Sequence, residues 1–419
     1  MRQPLILNGA RQVGKTWLLK EFAKNEYKNM IYMNFDDTPG FKAHFDRDLK
    51  IPRILTALEA ECREKIEPQN SLIIFDEIQE CPRALASLKY FAENAPEYHV
   101  AAAGSLLGVA MHEGTSFPVG KVDRIEMHPM SFAEFLAITE PQLHKILISQ
   151  DFDLINDLSD KFTDALKAYF FIGGMPRVVA SYVNYRDFGQ AREIQNSILK
   201  DYAADFSKHI KCVNIPKVRM LFDSIPVHLA KEKKKFIYKE IKEGGRAKEF
   251  EDAMDWLVHS GIVHKVHSVT TPNMPLSDYE EKEIFKLYMV DVGLLCAKSS
   301  IQMSTLLNPN HEMFNHFNGS LTEQFVLQEL KISPDMPVCY WRREKGDAEV
   351  DFVVQHKDKI IPIEAKAGTA TKAKSLSVYI QKYNPKIAIR VSLKNYGKES
   401  NLLSLPLYML GTQFTDNVI

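Results

Sequence analysis

The stretch LILNGARQVGKTWLLKEFAK constrains this chain more than any other. A short apolar run, residues 5–7, leads into Gly9-Ala10-Arg11-Gln12-Val13-Gly14-Lys15-Thr16-Trp17, and apolar residues at Trp17, Leu18 and Phe22 then mark a helix. This is the G-x-x-x-x-G-K-[ST] pattern in the strand–loop–helix setting it requires. Glycines let backbone N–H groups wrap phosphate oxygens, and the N-terminus of the following helix adds positive potential. Residues Gly9 to Trp17 are therefore candidates for binding ATP. Lys15 would reach the β- and γ-phosphates, and Thr16 would hold Mg²⁺.

Sixty-one residues after Lys15 comes SLIIFDEIQE, in which four apolar residues precede Asp76-Glu77. A strand with no polar face belongs in the middle of a parallel sheet covered on both sides by helices. Acids at its C-terminal end lie where open α/β sheets bind ligands. Asp76 is the expected partner of Mg²⁺, and Glu77 the group that polarises an attacking water. Residues 30–37 and 99–108 supply two more strands. Ser105 follows the second, where it would sense the γ-phosphate or the water, unless Gly104-Ser105 is only a turn. A fifth strand carries Arg124, which either reaches a neighbour's nucleotide in a homo-oligomer or is an ordinary solvated or ion-paired arginine.

At 419 residues the chain exceeds one ordinary core, and roughly 100–200 residues per domain implies two to four domains. With 45% hydrophobic and 26% charged residues it reads as globular, and a net charge of -1 is silent about partners. The five cysteines, Cys62, Cys81, Cys212, Cys296 and Cys339, are scattered without a C-x-x-C pair, so they read as reduced thiols and not as a disulfide framework or zinc site. The longest apolar run, residues 100–111, is shorter than the roughly 18 residues of a membrane helix, and the N-terminus lacks a signal-peptide pattern. A cytoplasmic protein with no membrane association is expected.

The segments GARQVGKT, LIIFDEIQ, GSLLG and MHPMSFAEF together resemble a bacterial and archaeal family of AAA-type P-loop ATPases that carries a C-terminal domain of unknown function. The likeness continues through FIGGMPRVV, RAKEFEDAMDWLVHSGIVHKV, FKLYMVDVGLL and IPIEAK, and so spans nearly the whole chain. That family usually has a segment ahead of its first strand, whereas Met1 lies four residues before Leu5. The resemblance thus implies a start upstream of Met1 and an adenine pocket that is incomplete without it.

Residues 141–212 read as amphipathic helices broken at Gly173-Gly174 and Pro176. The resemblance implies a helical lid here, from which Arg177 would approach the nucleotide. Residues 213–300 read as three helices and a two-stranded wing, a winged helix-turn-helix, with Phe250, Met254 and Leu257 forming one buried stripe. Between Lys231 and Lys248 stand eight Lys/Arg and three Glu, an excess suited to DNA phosphates. An alternating run of this kind is equally a solvated face.

In residues 310–419, a helix over 318–332 presents Glu323, and two β-branched runs flank QHKDK as a hairpin. Side chains alternate along a strand, so Glu349 and Asp351 share one face, as do Glu364 and Lys366. Oxygen ligands of this kind suit Mg²⁺, with a lysine beside them to orient water or stabilise a phosphate. The order helix-Glu, strand-Asp, strand-E-x-K resembles the PD-(D/E)xK nucleases, which implies catalytic roles for Glu323, Asp351, Glu364 and Lys366 and metal contacts for Asp351 and Glu364.

The fold expected is α/β and multidomain: a P-loop parallel sheet over 1–140, a helical lid over 141–212, a winged helix over 213–300 and a PD-(D/E)xK nuclease-like domain over 310–419. The expected function is a Mg²⁺-dependent ATPase that couples ATP hydrolysis to conformational change on nucleic acid. Two alternatives stay open: a nucleotide-controlled signalling or defence switch whose C-terminal domain binds without cutting, and an ATP-regulated DNA nuclease.

Overall fold

The computed structural model describes residues 2–105, 118–209, 214–231, 234–307, 312–333, 336–368 and 374–414. Cys212 and the end of the strand expected over 99–108 lie outside the described residues. The chain divides into two compact units: Met1–His128 with His259–Ile262, and Pro129–Val258 with Val263–Ile419.

In the first unit, β1 (Leu5–Gly9), β2 (Asn29–Asn34), β3 (Ser71–Asp76), β4 (His99–Ala103) and β5 (Asp123–Met127) form one parallel sheet in the order β2-β3-β4-β1-β5. The helices are α1 (Lys15–Glu26), α2 (Lys42–Arg47), α3 (Ile51–Cys62) and α4 (Pro82–Asn94). All six residues of β3 are buried, as its uninterrupted apolar run requires. Alternation divides them between two cores. Leu72 and Ile74 pack with Leu19 and Ala23 of α1. Ile73 and Phe75 pack with Leu58 of α3 and Leu88 of α4. Phe75 also meets the rings of Phe35, Phe45 and Phe91, and each such buried ring stabilises the layer by about 1.5–3 kcal/mol.

The second unit holds α5 (Phe132–Thr139), α6 (Pro141–Ser149), α7 (Phe152–Asp157), α8 (Ser159–Ile172), α9 (Pro176–Tyr185), α10 (Phe188–His209), α11 (Ile215–Leu229) and most of α12 (Ala247–His259). It continues with α13 (Val292–Lys298), α14 (Met303–Leu307), α15 (Glu312–Lys331) and α16 (Lys374–Tyr383). Its strands are β6 (Val263–Val269), β7 (Glu280–Met289), β8 (Val338–Arg342), β9 (Glu349–His356), β10 (Lys359–Ala365), β11 (Ala388–Ser392), β12 (Gly397–Glu399) and β13 (Leu402–Pro406). They form a single mixed sheet, β12-β13-β11-β10-β9-β8-β6-β7. The pair expected as a wing, β6 and β7, is an antiparallel hairpin. It does not stand apart: β6 runs parallel to β8, with Ser268 opposite Tyr340 and Val269 opposite Trp341, so the wing strands extend the C-terminal sheet. Of the three helices expected over 213–300, the middle one is only a 3₁₀ turn at Tyr238–Glu240, and the chain leaves it through Gly244-Gly245, which suit a turn better than a helix. The expected β9–β10 hairpin is present, and Lys357 takes a left-handed φ of 53° at its tip.

Gly173-Gly174 do more than break a helical pattern. A Cβ on Gly174 would stand 2.1 Å from the Met130 carbonyl oxygen, so no other residue fits. That closeness lets Met130 N–H donate to Gly174 C=O at 2.7 Å and Gly174 N–H donate to Asp291 Oδ2 at 2.6 Å. Asp291 also caps α13 by accepting from Leu294 N–H. Gln328 on α15 donates to the Tyr169 hydroxyl at 2.9 Å, and its neighbour Glu329 accepts from Phe132 N–H at 2.9 Å.

Among the described residues no cation pairs with these buried carboxyls, and their titration carries the consequence. Burial pushes Asp291 up to about 6 despite the N–H groups donating to it. Burial, opposed by the Phe132 N–H and aided by the Glu134 charge, pushes Glu329 up to about 8. The folded unit therefore keeps protons that the unfolded chain has lost, and stability declines as pH rises through the interval between the two values. For Glu329 that interval runs from its ordinary 4.5 to about 8. We predict that the thermal midpoint of the intact protein falls with rising pH across this interval. Glu329→Gln should flatten the part above about 6 and leave the Asp291 part below it. Parallel melting curves of the two proteins across pH check this; an unchanged slope above that value contradicts it.

Candidate functional site

The phosphate-type loop joins β1 to α1, and its backbone explains its glycines. Gly9 has φ 148° and Gly14 has φ 97°, both in the range glycine favours. A Cβ on Gly9 would stand 2.3 Å from Met127 O on the adjacent β5. Gln12 is held at φ 69°. Ala10 and Val13 turn their side chains into the core, while Arg11, Gln12, Gly14, Lys15 and Thr16 are half-buried. Trp17, directly after Thr16, is 68% exposed. The loop thus offers backbone, one ammonium and one hydroxyl, with an exposed indole beside them.

Lys15 Nζ donates to Gly9 C=O at 2.9 Å and to Ala10 C=O at 2.8 Å. Burial pushes its ammonium down to about 8 against the pull of Glu77 and Asp76. Thr16 Oγ1 donates to Asp76 Oδ2 at 2.8 Å, so residues 60 positions apart meet at one oxygen. The other Asp76 oxygen accepts from Glu77 N–H at 3.0 Å. Glu77 has φ 49°, at the sharp exit from β3, and its Oε2 accepts from the Gln79 side chain. A hydroxyl and a buried carboxylate side by side are hard oxygen donors of the kind Mg²⁺ takes, so these residues fit the ion the motif implies. Because β4 lies between β1 and β3 in the sheet, Ser105, two residues past its end, follows the strand between those carrying the loop and Asp76.

One group at this site was missed from sequence. Tyr32 on β2 donates its hydroxyl to the same Asp76 Oδ2 at 2.7 Å. Burial, then the bond to Asp76, hold this phenol well above its ordinary value, so it stays a donor. Lys20 on α1 places its ammonium 3.6 Å from the centroid of the Tyr32 ring. The only sequence signal was a polar-tipped aromatic on one of the further strands expected in the same sheet. Arg124 lies on the exposed edge strand β5, and Arg177 is an exposed residue in the first turn of α9 in the other unit.

In the second unit, Glu323, Asp351, Glu364 and Lys366 do converge, with company the sequence did not indicate. Glu323 Oε1 meets Lys234 Nζ at 2.5 Å, and its Oε2 accepts from the Tyr288 hydroxyl at 3.1 Å. Lys286, with a fully buried side chain on β7, stands 3.8 Å from Glu323 Oε2 and 2.5 Å from Glu349 Oε1. Asp351 Oδ2 accepts from Ala365 N–H at 2.8 Å. Lys366, just past the end of β10, reaches back to Glu364 Oε1 at 2.7 Å, and Glu364 Oε2 is buried without a hydrogen-bond partner. Lys286 was visible as a lone lysine in the apolar run IFKLYMV. Lys234 was read as one of the basic residues suited to DNA, but it turns inward.

Residues 1–136 match the family described as AAA domain. Residues 163–305 and 318–409 match two families each described as a domain of unknown function, DUF8612 and DUF4143. No curated protein matches the chain. Among solved structures, a Walker-type ATPase of Pyrococcus abyssi shares 14% identity at a TM-score of 0.44, covering 71% of this chain and 91% of that one. Drosophila ORC bound to DNA shares 14% at a TM-score of 0.26, covering 68% and 86%. Cdc6p of Pyrobaculum aerophilum shares 11% at 0.25, covering 74% and 88%. Among the described residues, no helix is long and apolar enough to cross a membrane.

The Lys15 ammonium is held down at about 8 by its burial. Phosphate oxygens around its ammonium would raise its pKa, so above about 8 binding must take up a proton. We predict that nucleoside triphosphate affinity falls as pH rises past that value, by up to ~tenfold per unit. Calorimetry in buffers of different ionisation enthalpy reads the proton uptake; pH-independent affinity between 8 and 9.5, roughly, contradicts it.

Proposed function

We propose that this chain, an AAA-type P-loop ATPase with C-terminal domains of unknown function, couples Mg²⁺-dependent ATP hydrolysis to conformational change on nucleic acid. The observation that carries the proposal is the Thr16–Asp76 contact beside the loop of Gly9 to Lys15. Backbone N–H groups of the loop and Lys15 would bind the phosphates, and Trp17 offers a flat face to the base. Thr16 and Asp76 would hold Mg²⁺, which when bound supplies positive charge against the phosphate oxygens. Tyr32 keeps the Asp76 carboxylate oriented. Glu77 accepts a proton from the attacking water as its oxygen bonds to the γ-phosphorus and the bond to the β–γ bridging oxygen breaks, ADP leaving with that electron pair, and Ser105 donates to the same water or to the γ-phosphate.

In this reading residues 141–212 act as the lid and residues 213–300 as a winged helix. Residues 310–419 form a nuclease-like domain. Lys235, Lys239, Lys242, Arg246 and Lys248 are exposed and supply charge for nucleic-acid phosphates. A second reading, a nucleotide-controlled switch whose C-terminal region binds a partner, is favoured by pairing within the same segment. Lys231 meets Glu240 at 2.6 Å, Lys242 meets Glu249 at 3.8 Å, and Lys234 is spent on Glu323.

Lys15→Ala should abolish ATP binding, measured directly by equilibrium binding; retained affinity refutes the site. Glu77→Gln should bind ATP normally and lose about 10²–10⁴-fold in turnover, and unchanged turnover removes Glu77 from the mechanism. Duplex DNA should raise ATP turnover in a salt-sensitive way, whereas indifference to DNA favours the switch.

A further inference from the structure

The acids of the C-terminal fold are not arranged to receive a divalent cation. Mg²⁺ takes near-octahedral oxygen ligands at about 2.0–2.1 Å, and it needs carboxylate lone pairs directed at a common centre. Here both oxygens of Glu323 are engaged, one by the Lys234 ammonium and the other by the Tyr288 hydroxyl, with Lys286 behind. One Glu364 oxygen is taken by Lys366, and one Asp351 oxygen by the Ala365 N–H. Three ammonium groups therefore stand among Glu323, Glu349, Asp351 and Glu364. Among the described residues, no three His, Cys, Asp or Glu side chains form a group able to hold a metal ion.

Titration follows the same geometry. Burial pushes Glu323 up, but Lys234 and then Lys286 overcome it and hold the carboxyl down at about 2. Burial also pushes Lys286 down, yet Tyr288, Glu323, Glu349 and Asp351 together hold it well above its ordinary value. Both partners of the central contact thus stay charged at neutral pH. Asp351 goes the other way: burial, followed by the charges of Glu323 and Glu364, pushes it well above its ordinary value.

The two inward lysines come from outside the segment that carries the nuclease-like pattern. Lys234 lies in the connection between α11 and the 3₁₀ turn, and Lys286 lies on β7. Their ammoniums pair with Glu323 and Glu349 and act electrostatically on Asp351, beside which the nuclease resemblance calls for a metal. We infer that Lys234 and Lys286 take the place of the catalytic cation, and that Glu323, Asp351, Glu364 and Lys366 form a metal-free ion-pair cluster joining β7 and the Lys234 segment to α15, β9 and β10. The cluster is a structural latch with no phosphodiester-cutting chemistry. The positions of the ammonium groups set this arrangement, independently of the nucleotide site in the other unit.

The experiment titrates Mn²⁺ into full-length protein carrying Asp76→Asn, which silences the nucleotide-side cation, and follows bound ion by electron paramagnetic resonance. Expected is no stoichiometric Mn²⁺ binding and no Mn²⁺-dependent nicking of supercoiled plasmid. In the same background Lys234→Gln, and Lys234→Gln with Lys286→Met, should gain about one Mn²⁺ per chain, lost again on adding Asp351→Asn. The inference is overturned if the protein with both lysines intact binds Mn²⁺ in a manner abolished by Asp351→Asn. It is equally overturned if a folded Lys234→Gln variant, judged by its melting curve, gains no Mn²⁺. Should the double variant fail to fold, Lys234→Gln alone decides, because that side chain retains partial access to solvent.

Discussion

The first unit depends on a single buried oxygen, Asp76 Oδ2. It lies at the end of a strand with no solvent-facing residue and accepts from both Thr16 and Tyr32. A buried carboxylate without donors is expensive, so the hydroxyls that meet it must be delivered by neighbouring elements at fixed separation. Thr16 is fixed because α1 packs Leu19 and Ala23 against Leu72 and Ile74 of the same strand. Tyr32 is fixed because β2 pairs with β3 in parallel, with Tyr32 opposite Ile74. The apolar cores on the two faces of β3 therefore set the geometry of the polar site at its tip.

Unit two meets the burial of charge in two different ways. Around Glu323, Lys234 and Lys286 hold that carboxylate down against its burial, at the cost of long side chains ordered in one place. Around Asp291 and Glu329 no ion pair with a cation occurs among the described residues. Those carboxyls are satisfied by N–H groups from Gly174, Leu294 and Phe132, and burial favours their protonated forms. Glu323, held down, contributes stability that is lost as pH falls, whereas Asp291 and Glu329, pushed up, contribute most at low pH. A single sheet with its packed helices thus contains two electrostatic solutions of opposite pH dependence.

Where the sequence was legible, the determining interactions were local. The nucleotide loop, the apolar strand ending in Asp76-Glu77 and the β9–β10 hairpin are each encoded within a few consecutive residues. All three formed where expected, though the strand expected over 30–37 closes at Asn34. Tyr32, Lys234, Lys286 and Tyr288 were not legible as site residues. Each acts across a long separation, such as the 89 positions between Lys234 and Glu323, and no spacing rule links them. The same distance hid the fate of the expected wing, since Ser268 and Tyr340 become neighbours only when β6 meets β8.

By itself the sequence determined the parts that short-range sterics and periodicity control. It specified a glycine-bounded phosphate loop between strand and helix, a central strand buried on both faces, and the order of acids and lysine in the C-terminal segment. Only the tertiary structure decided what those acids face. Coulomb and desolvation energies depend on distance in space, and there the nearest cations to Glu323 are the chain's own ammonium groups.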